Sequence, residues 1–201
     1  MRRAHVLYNS SMSHHKHTTE AFVLSVTAAR EHDARIKVVT KDGEVLSAIA
    51  TGLRTLQSKL RMSLVPYSHV SISLVRGKDV WRCTNASSLR NFYNEIQDKE
   101  YKKALARTVS LIERLTPGEA HVGMLFEQLL TYAERLAHES SQPDNARCKA
   151  YEAQAALIIL SELGYIEHAE RWVTADISYI QEHIGEAVRA INHAIQSTHL
   201  A

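Results

Sequence analysis

The sequence predicts an α+β protein in which a small five-stranded β-barrel precedes an all-helical domain. Three observations carry that prediction. Apolar residues alternate with period two between Thr19 and Thr84, broken by two tight-turn signals. From Ser88 onward the apolar period becomes that of amphipathic helices. The charge reverses at nearly the same place: residues 1–91 hold 14 Lys/Arg against 6 Asp/Glu, or +8, whereas residues 92–201 hold 10 against 16, or −6. A basic half followed by an acidic half implies two units with different partners, and 201 residues suffice for a core in each.

Residues 1–18 lack apolar periodicity and are expected to form a disordered tail. Its His14, His15 and His17 read as solvated side chains rather than a metal site. Met12 stands directly before this cluster as an alternative start. The barrel is assigned to residues 19–87. Phe22, Leu24 and Val26 alternate with Val23, Ser25 and Thr27, and Ile36, Val38 and Thr40 alternate with Arg35, Lys37 and Val39. Asp42-Gly43 marks a hairpin into Leu46, Ala48 and Ala50. Val70, Ile72 and Leu74 form the fourth strand, Arg76-Gly77-Lys78-Asp79 the next turn, and Val80 to Thr84 the fifth. Closing five short strands into a barrel removes their exposed edges.

The helical domain is assigned to residues 88–201. Leu105, Val109, Ile112 and Thr116 share a face of a helix ended by Pro117-Gly118. Met124, Leu125, Leu129, Tyr132, Ala133 and Leu136 form the next stripe. Ala153 to Leu163 is apolar nearly all round, which predicts the central helix, with Gly164 as its stop. Ile184, Val188, Ile191 and Ile195 form the stripe of a last amphipathic helix.

Several function classes find no support in the residues. Cys83 and Cys148 are too few and too far apart for a cysteine zinc cluster, and no metal or cofactor is expected. No apolar run approaches a membrane span, and no export signal precedes the barrel, so the expected location is the cytoplasm. The chain has no phosphate-loop, HExxH or GxSxG motif. Acids at helical spacing, such as Glu95 with Asp98, suit solvated faces. The protein is therefore expected not to be an enzyme.

The barrel's cations point elsewhere. Between Ala50 and Arg76 there is no acid, yet Arg54, Lys59 and Arg61 lie in one connection. Arg35 and Lys37, two apart on a strand, are expected to share a face. Arg76, Lys78 and Arg82 surround the second turn. Together these eight are the candidate phosphate contacts, against the plainer reading that they merely solubilise the barrel. If about five neutralise phosphates, log affinity falls with log salt at a slope near −3 to −5. Trp81 and Tyr67 are the aromatics open to base stacking, although Trp81 suits the barrel core equally.

Short motifs in order give the chain a family resemblance. Ala21-Phe22-Val23-Leu24, Glu31-His32-Asp33-Ala34-Arg35-Ile36 and Thr40-Lys41-Asp42-Gly43-Glu44 come first. Gly52-Leu53-Arg54, Ser58-Lys59-Leu60 and Leu64-Val65-Pro66-Tyr67 follow, then Leu160-Ser161-Glu162-Leu163-Gly164-Tyr165. Ala190 to Ala194 and Ser197 to Leu200 resemble the end of short members. From about residue 19 onward this order resembles the RecO family of DNA repair and recombination proteins. The sequence lacks the four-cysteine zinc element found in many relatives after the Gly164-Tyr165 position, and Ser25 stands where lysine is common.

The resemblance implies an OB-fold barrel that binds single- and double-stranded DNA, anneals complementary strands and, with RecR, helps load RecA onto DNA coated by single-stranded DNA-binding protein (SSB). It also implies contact with the SSB C-terminal tail. An acidic bundle would need an apolar pocket rimmed by local cations to hold that tail. Arg107 and Arg114, seven apart on one helix, are the candidate contacts, with pairing to glutamates such as Glu113 as the alternative. A protein-binding adaptor and an unrecognised hydrolase are the rival readings.

Overall fold

In the computed structural model, which describes residues 16–167 and 169–198, the alternating segments become five strands: β1 (Lys16–Ala28), β2 (Ala34–Thr40), β3 (Glu44–Ala50), β4 (Ser68–Arg76) and β5 (Trp81–Asn91). They pair as a ring. β1 joins β2 and β4, β2 joins β3, and β4 joins β5, all antiparallel, while β3 meets β5 in parallel. That last seam is short, from Ala48–Trp81 to Ala50–Cys83. The ring is thus a partly open barrel of the OB type.

The helical half follows as α1 (Phe92–Glu95), α2 (Lys99–Leu115), the short strand β6 (Ala120–His121), α3 (Leu125–Glu139), α4 (Asn145–Glu162), α5 (Glu170–Val173), α6 (Ile177–Glu182) and α7 (Ile184–Ser197). Local signals set the ends. Asp98 and Asp144 accept backbone N–H bonds at the starts of α2 and α4, satisfying donors that a helix leaves orphaned. Gly164 takes the left-handed conformation, φ 78°, at the end of α4. α4 is the hub, packed against α2, α3, α5, α6 and α7.

Two expected boundaries move. Lys16, His17 and Thr18 belong to β1, pairing with Val75, Leu74 and Ser73, so this part of the expected tail is strand. His17 Nε2 lies 3.0 Å from Asp42 Oδ2; His14 and His15 lie outside the described residues. β5 runs past Ser88 to Asn91, because β4 supplies a ladder as far as Ser68–Asn91. Its exposed residues from Ser87 to Leu89 gave no alternation to read.

The period of two explains how both faces of β1 are buried. Ala21 and Val23 point into the barrel with Ile36, Val38, Val70 and Ile72. Phe22 and Leu24 point outward, with Val39 and Val45, into a core shared with Phe92, Ile112, Phe126 and Leu129. The helical half therefore docks on the outer face of β1–β3. The β2–β3 hairpin seals this junction. Gly43 has φ 80°, and a Cβ there would fall 2.7 Å from the Gly123 carbonyl oxygen; that crowding and the left-handed backbone both require glycine.

Candidate nucleic-acid interface

Register places arginines together at one end of the barrel. Ile49 on β3 pairs with Arg35 of β2 on one side and Arg82 of β5 on the other. Residues paired across neighbouring strands share a face, so Arg35, Ile49 and Arg82 form an outward row. The β1–β2 loop, residues 29–33, and the β4–β5 loop, residues 77–80, flank this row. Between them lies a groove of about 380 Å³ lined by Ala29, Arg30, Asp33, Arg35, Ile49, Thr51, Val80 and Arg82. OB folds bind oligomers on this strand face and between these two loops.

The groove is positively charged by arrangement. Its one carboxylate, Asp33, accepts the Gly52 N–H at 2.9 Å, and its carbonyl accepts the N–H groups of Ala29 and Arg30. Asp33 thereby closes the loop on itself. Arg30, Arg35 and Arg82 are exposed and, among the described residues, form no ion pair with an acid. Three guanidiniums against one carboxylate that is engaged with the backbone suit a phosphate backbone.

The eight cations singled out in the sequence do not converge. Arg35 and Arg82 line the groove, and Lys78 is exposed in the loop beside it. Arg54 shapes the groove instead. Its Nη1 donates to the carbonyls of Arg30, at 2.9 Å, and Glu31, at 3.1 Å, pinning the β1–β2 loop from behind. Arg76 pairs with Glu119 at 2.7 Å and lies 5.0 Å over the Trp81 ring. Lys59 is exposed in a 3-10 turn, Lys59–Met62, and Arg61 lines a different groove with Tyr67. Trp81 is partly buried against the barrel core.

Lys37 departs most from expectation. It does share a face with Arg35, but helix α2 ends over it. Its Nζ donates to the carbonyl oxygens of Glu113, at 3.3 Å, and Thr116. An ammonium at a helix C-terminus satisfies orphaned carbonyls and suits the dipole. Burial lowers its pKa from the ordinary lysine value, with the nearby Glu113 opposing that shift. Ser25 on β1 donates to the Glu113 carboxylate, completing this contact between the barrel and α2.

Arg30 is the groove residue that sequence reasoning passed over. Its neighbours Glu31 and Asp33 disguise it as part of a mixed-charge turn, but Asp33 turns inward to Gly52. The signal available was position: it sits in the loop between the first two strands.

A separate groove of about 480 Å³ opens between α2, α4 and α7. Its apolar lining includes Leu111, Ala153, Ala156 and the α7 stripe of Ile184, Val188, Ile191 and Ile195, and its charged lining is Arg107, Arg114, Lys149 and Glu152. The sequence predicts that stripe as the apolar face of a last amphipathic helix. In the structure Ala187 and Ala194 are the buried residues of α7, and Val188 is 44% exposed. Arg107 forms a two-point ion pair with Glu152, at 2.5 and 2.6 Å.

Among the described residues no three His, Cys, Asp or Glu side chains gather as metal ligands, and no helix is long and apolar enough to cross a membrane.

Comparison with known proteins gives a consistent result. Residues 12–92 match the family described as Recombination protein O N terminal. The DNA repair protein RecO of Dehalococcoides mccartyi is 27% identical over 130 residues, covering 65% of this chain and 51% of that protein. That of Heliobacterium modesticaldum is 30% identical over 112 residues, covering 56% and 41%. That of Geobacter sulfurreducens is 27% identical over 146 residues, covering 73% and 58%. The chain spans about half the length of the curated relatives it matches.

Proposed function

We propose that this chain, whose residues 12–92 match the N-terminal part of the RecO family, binds single- and double-stranded DNA through the sugar-phosphate backbone. One observation carries the reading: Arg30, Arg35 and Arg82 lie together, without acidic partners among the described residues, between the two loops that OB folds use. Contacts of this kind carry no base information, which suits action on any broken DNA.

From that follows a mediator role in DNA repair and recombination, annealing complementary strands and, with a RecR-type partner, assisting RecA loading onto SSB-coated DNA in the cytoplasm. Annealing breaks no covalent bond. It needs charge neutralisation and exposed bases rather than a nucleophile, so no catalytic group is assigned. The groove between α2, α4 and α7 is the surface we assign to the SSB tail. An apolar floor with Lys149, Arg114 and the Glu152-paired Arg107 beside it suits a chain end that is apolar and carries a carboxylate, which would compete with Glu152 for Arg107.

The test is oligonucleotide anisotropy across a salt series. If Arg30, Arg35, Lys78 and Arg82 each neutralise a phosphate, the log–log slope is about −3 to −4. Arg35→Glu with Arg82→Glu lowers affinity for all sequences alike and flattens that slope, leaving the thermal midpoint near its original value. Binding indifferent to salt would favour a protein-binding adaptor.

A further inference from the structure

At the far end of the β4–β5 hairpin from the arginine groove lies a second opening, of about 650 Å³, whose lining includes Arg61, Met62, Tyr67, Asn91, Tyr93 and Asn94. No Asp or Glu lines it. The rings of Tyr67 and Tyr93 lie with centroids 6.3 Å apart and planes 23° from parallel. Tyr93 projects from α1 and is 53% exposed, and the Lys102 ammonium sits 4.6 Å from its ring centroid. The groove thus places Arg61 beside a half-exposed aromatic ring, and Lys102, just outside the lining, lies over that ring.

Tyr67 adds an independent observation. Its φ is 66°, the one positive value for a non-glycine among the described residues. A bulky side chain in that conformation is strained, and such strain gathers at functional positions. The backbone is held from two sides, with its N–H donating to the Val23 carbonyl at 2.8 Å and its carbonyl accepting the Phe92 N–H at 3.2 Å. Glycine would adopt this turn without strain, so the turn itself does not call for an aromatic ring.

We propose that this groove stacks an unpaired base of single-stranded DNA on Tyr93, the base displacing the Lys102 ammonium from the ring so that Arg61 and Lys102 meet the flanking phosphates. The proposal rests on the DNA-binding reading above and gives it strand preference. A duplex buries its base faces, so only a single strand can offer one to Tyr93, whereas the arginine groove meets phosphates of either form. The nine residues of β4 separate the two grooves by about 27 Å, so one extended strand can reach both along the hairpin.

The experiment pairs Tyr93→Ala with Tyr93→Phe and measures anisotropy on matched single-stranded and duplex oligonucleotides. Tyr93→Ala should weaken single-strand binding about tenfold and leave duplex binding unchanged, while Tyr93→Phe stays within about twofold of the parent. Equal loss on both forms, or no loss on single strands, overturns the stacking site. If the parent protein binds neither form at low salt, the DNA reading fails and takes the proposal with it. If it binds both and Tyr93→Ala behaves like the parent, only the stacking site fails. Photocrosslinking of the unmutated protein to an oligonucleotide carrying 5-iodouracil removes any dependence on variant folding. Crosslinks should map to Tyr93 or Tyr67, and crosslinks confined to other segments refute the assignment.

Discussion

Replacing Lys37 with methionine separates a structural cation from a DNA-binding one. Methionine keeps an apolar stem of similar length, so the change removes mainly the ammonium. The loss is the pair of hydrogen bonds to the carbonyls of Glu113 and Thr116, where α2 ends. A hydrogen bond to a charged group contributes about 1.5–3 kcal/mol. Part of that is already offset by desolvation, the same burial that lowers the pKa of Lys37. A net destabilisation of about 2 kcal/mol follows, which for a chain of this size lowers the thermal midpoint by about 4–8 °C. A thermal melt followed by circular dichroism reads the first quantity, and oligonucleotide anisotropy against salt reads the second. The salt slope should stay that of the parent, because Lys37 meets the protein rather than phosphate. An unchanged midpoint together with a slope shallower by about 0.9, one phosphate contact fewer, would refute the reasoning.

Three further outcomes can be checked directly. Gly43→Ala should cost about 2–4 kcal/mol, since it adds left-handed strain to a Cβ placed 2.7 Å from the Gly123 carbonyl oxygen; Gly52→Ala, where φ is 68° but nothing lies within 4 Å, should cost only about 1 kcal/mol in urea denaturation. Glu20 accepts from Lys41 and His69, and those bonds hold its carboxyl below the ordinary value. Its contribution to stability is complete above the unfolded-state value, near about pH 4.3, and is lost as pH falls through the lower folded value. Glu20→Gln should therefore flatten the acid limb of the stability curve, and an unaltered limb would count against the pairing. Burial pushes the thiols of Cys83 and Cys148 up to about 11, so neither should react with iodoacetamide at neutral pH until the protein unfolds.

Local chemistry made most of the fold legible. Asp42-Gly43 named its hairpin, Gly164 its helix stop, and the apolar run from Ala153 named the hub helix, because turn conformation and all-round burial leave direct marks on composition. What depends on long-range docking left none. Lys37 looks like Arg35 in sequence, two residues along the same strand face, and only the arrival of α2 over one end of that face gives them different roles. The α7 stripe is legible as one apolar face, but periodicity reports amphipathicity and not how far that face is covered. Arg30 was hidden by neighbouring acids whose side-chain directions a sequence does not state.

The split in charge takes on meaning once its cations are sorted by neighbour. Where the helical half touches the barrel, positive groups of the first 91 residues are already matched. Lys37 meets the end of α2, Arg76 meets Glu119, and Arg90 meets Glu95 and Glu134 at 2.5 and 2.6 Å. Arg30, Arg35 and Arg82 instead line a groove built from barrel residues alone. The acids of the helical half therefore neutralise one side of the barrel and repel a polyanion from it, while leaving the loop end positive. If the barrel binds DNA as proposed, such a field orients an approaching strand before any contact forms. It also constrains what the α7 groove can hold. In the acidic helical half, attraction there must come mainly from the apolar lining, with Lys149 and Arg114 acting at short range, since Arg107 is already paired with Glu152. Added salt should consequently release DNA from the barrel at concentrations that leave a tail peptide bound to the helices, because burial of apolar surface is not screened.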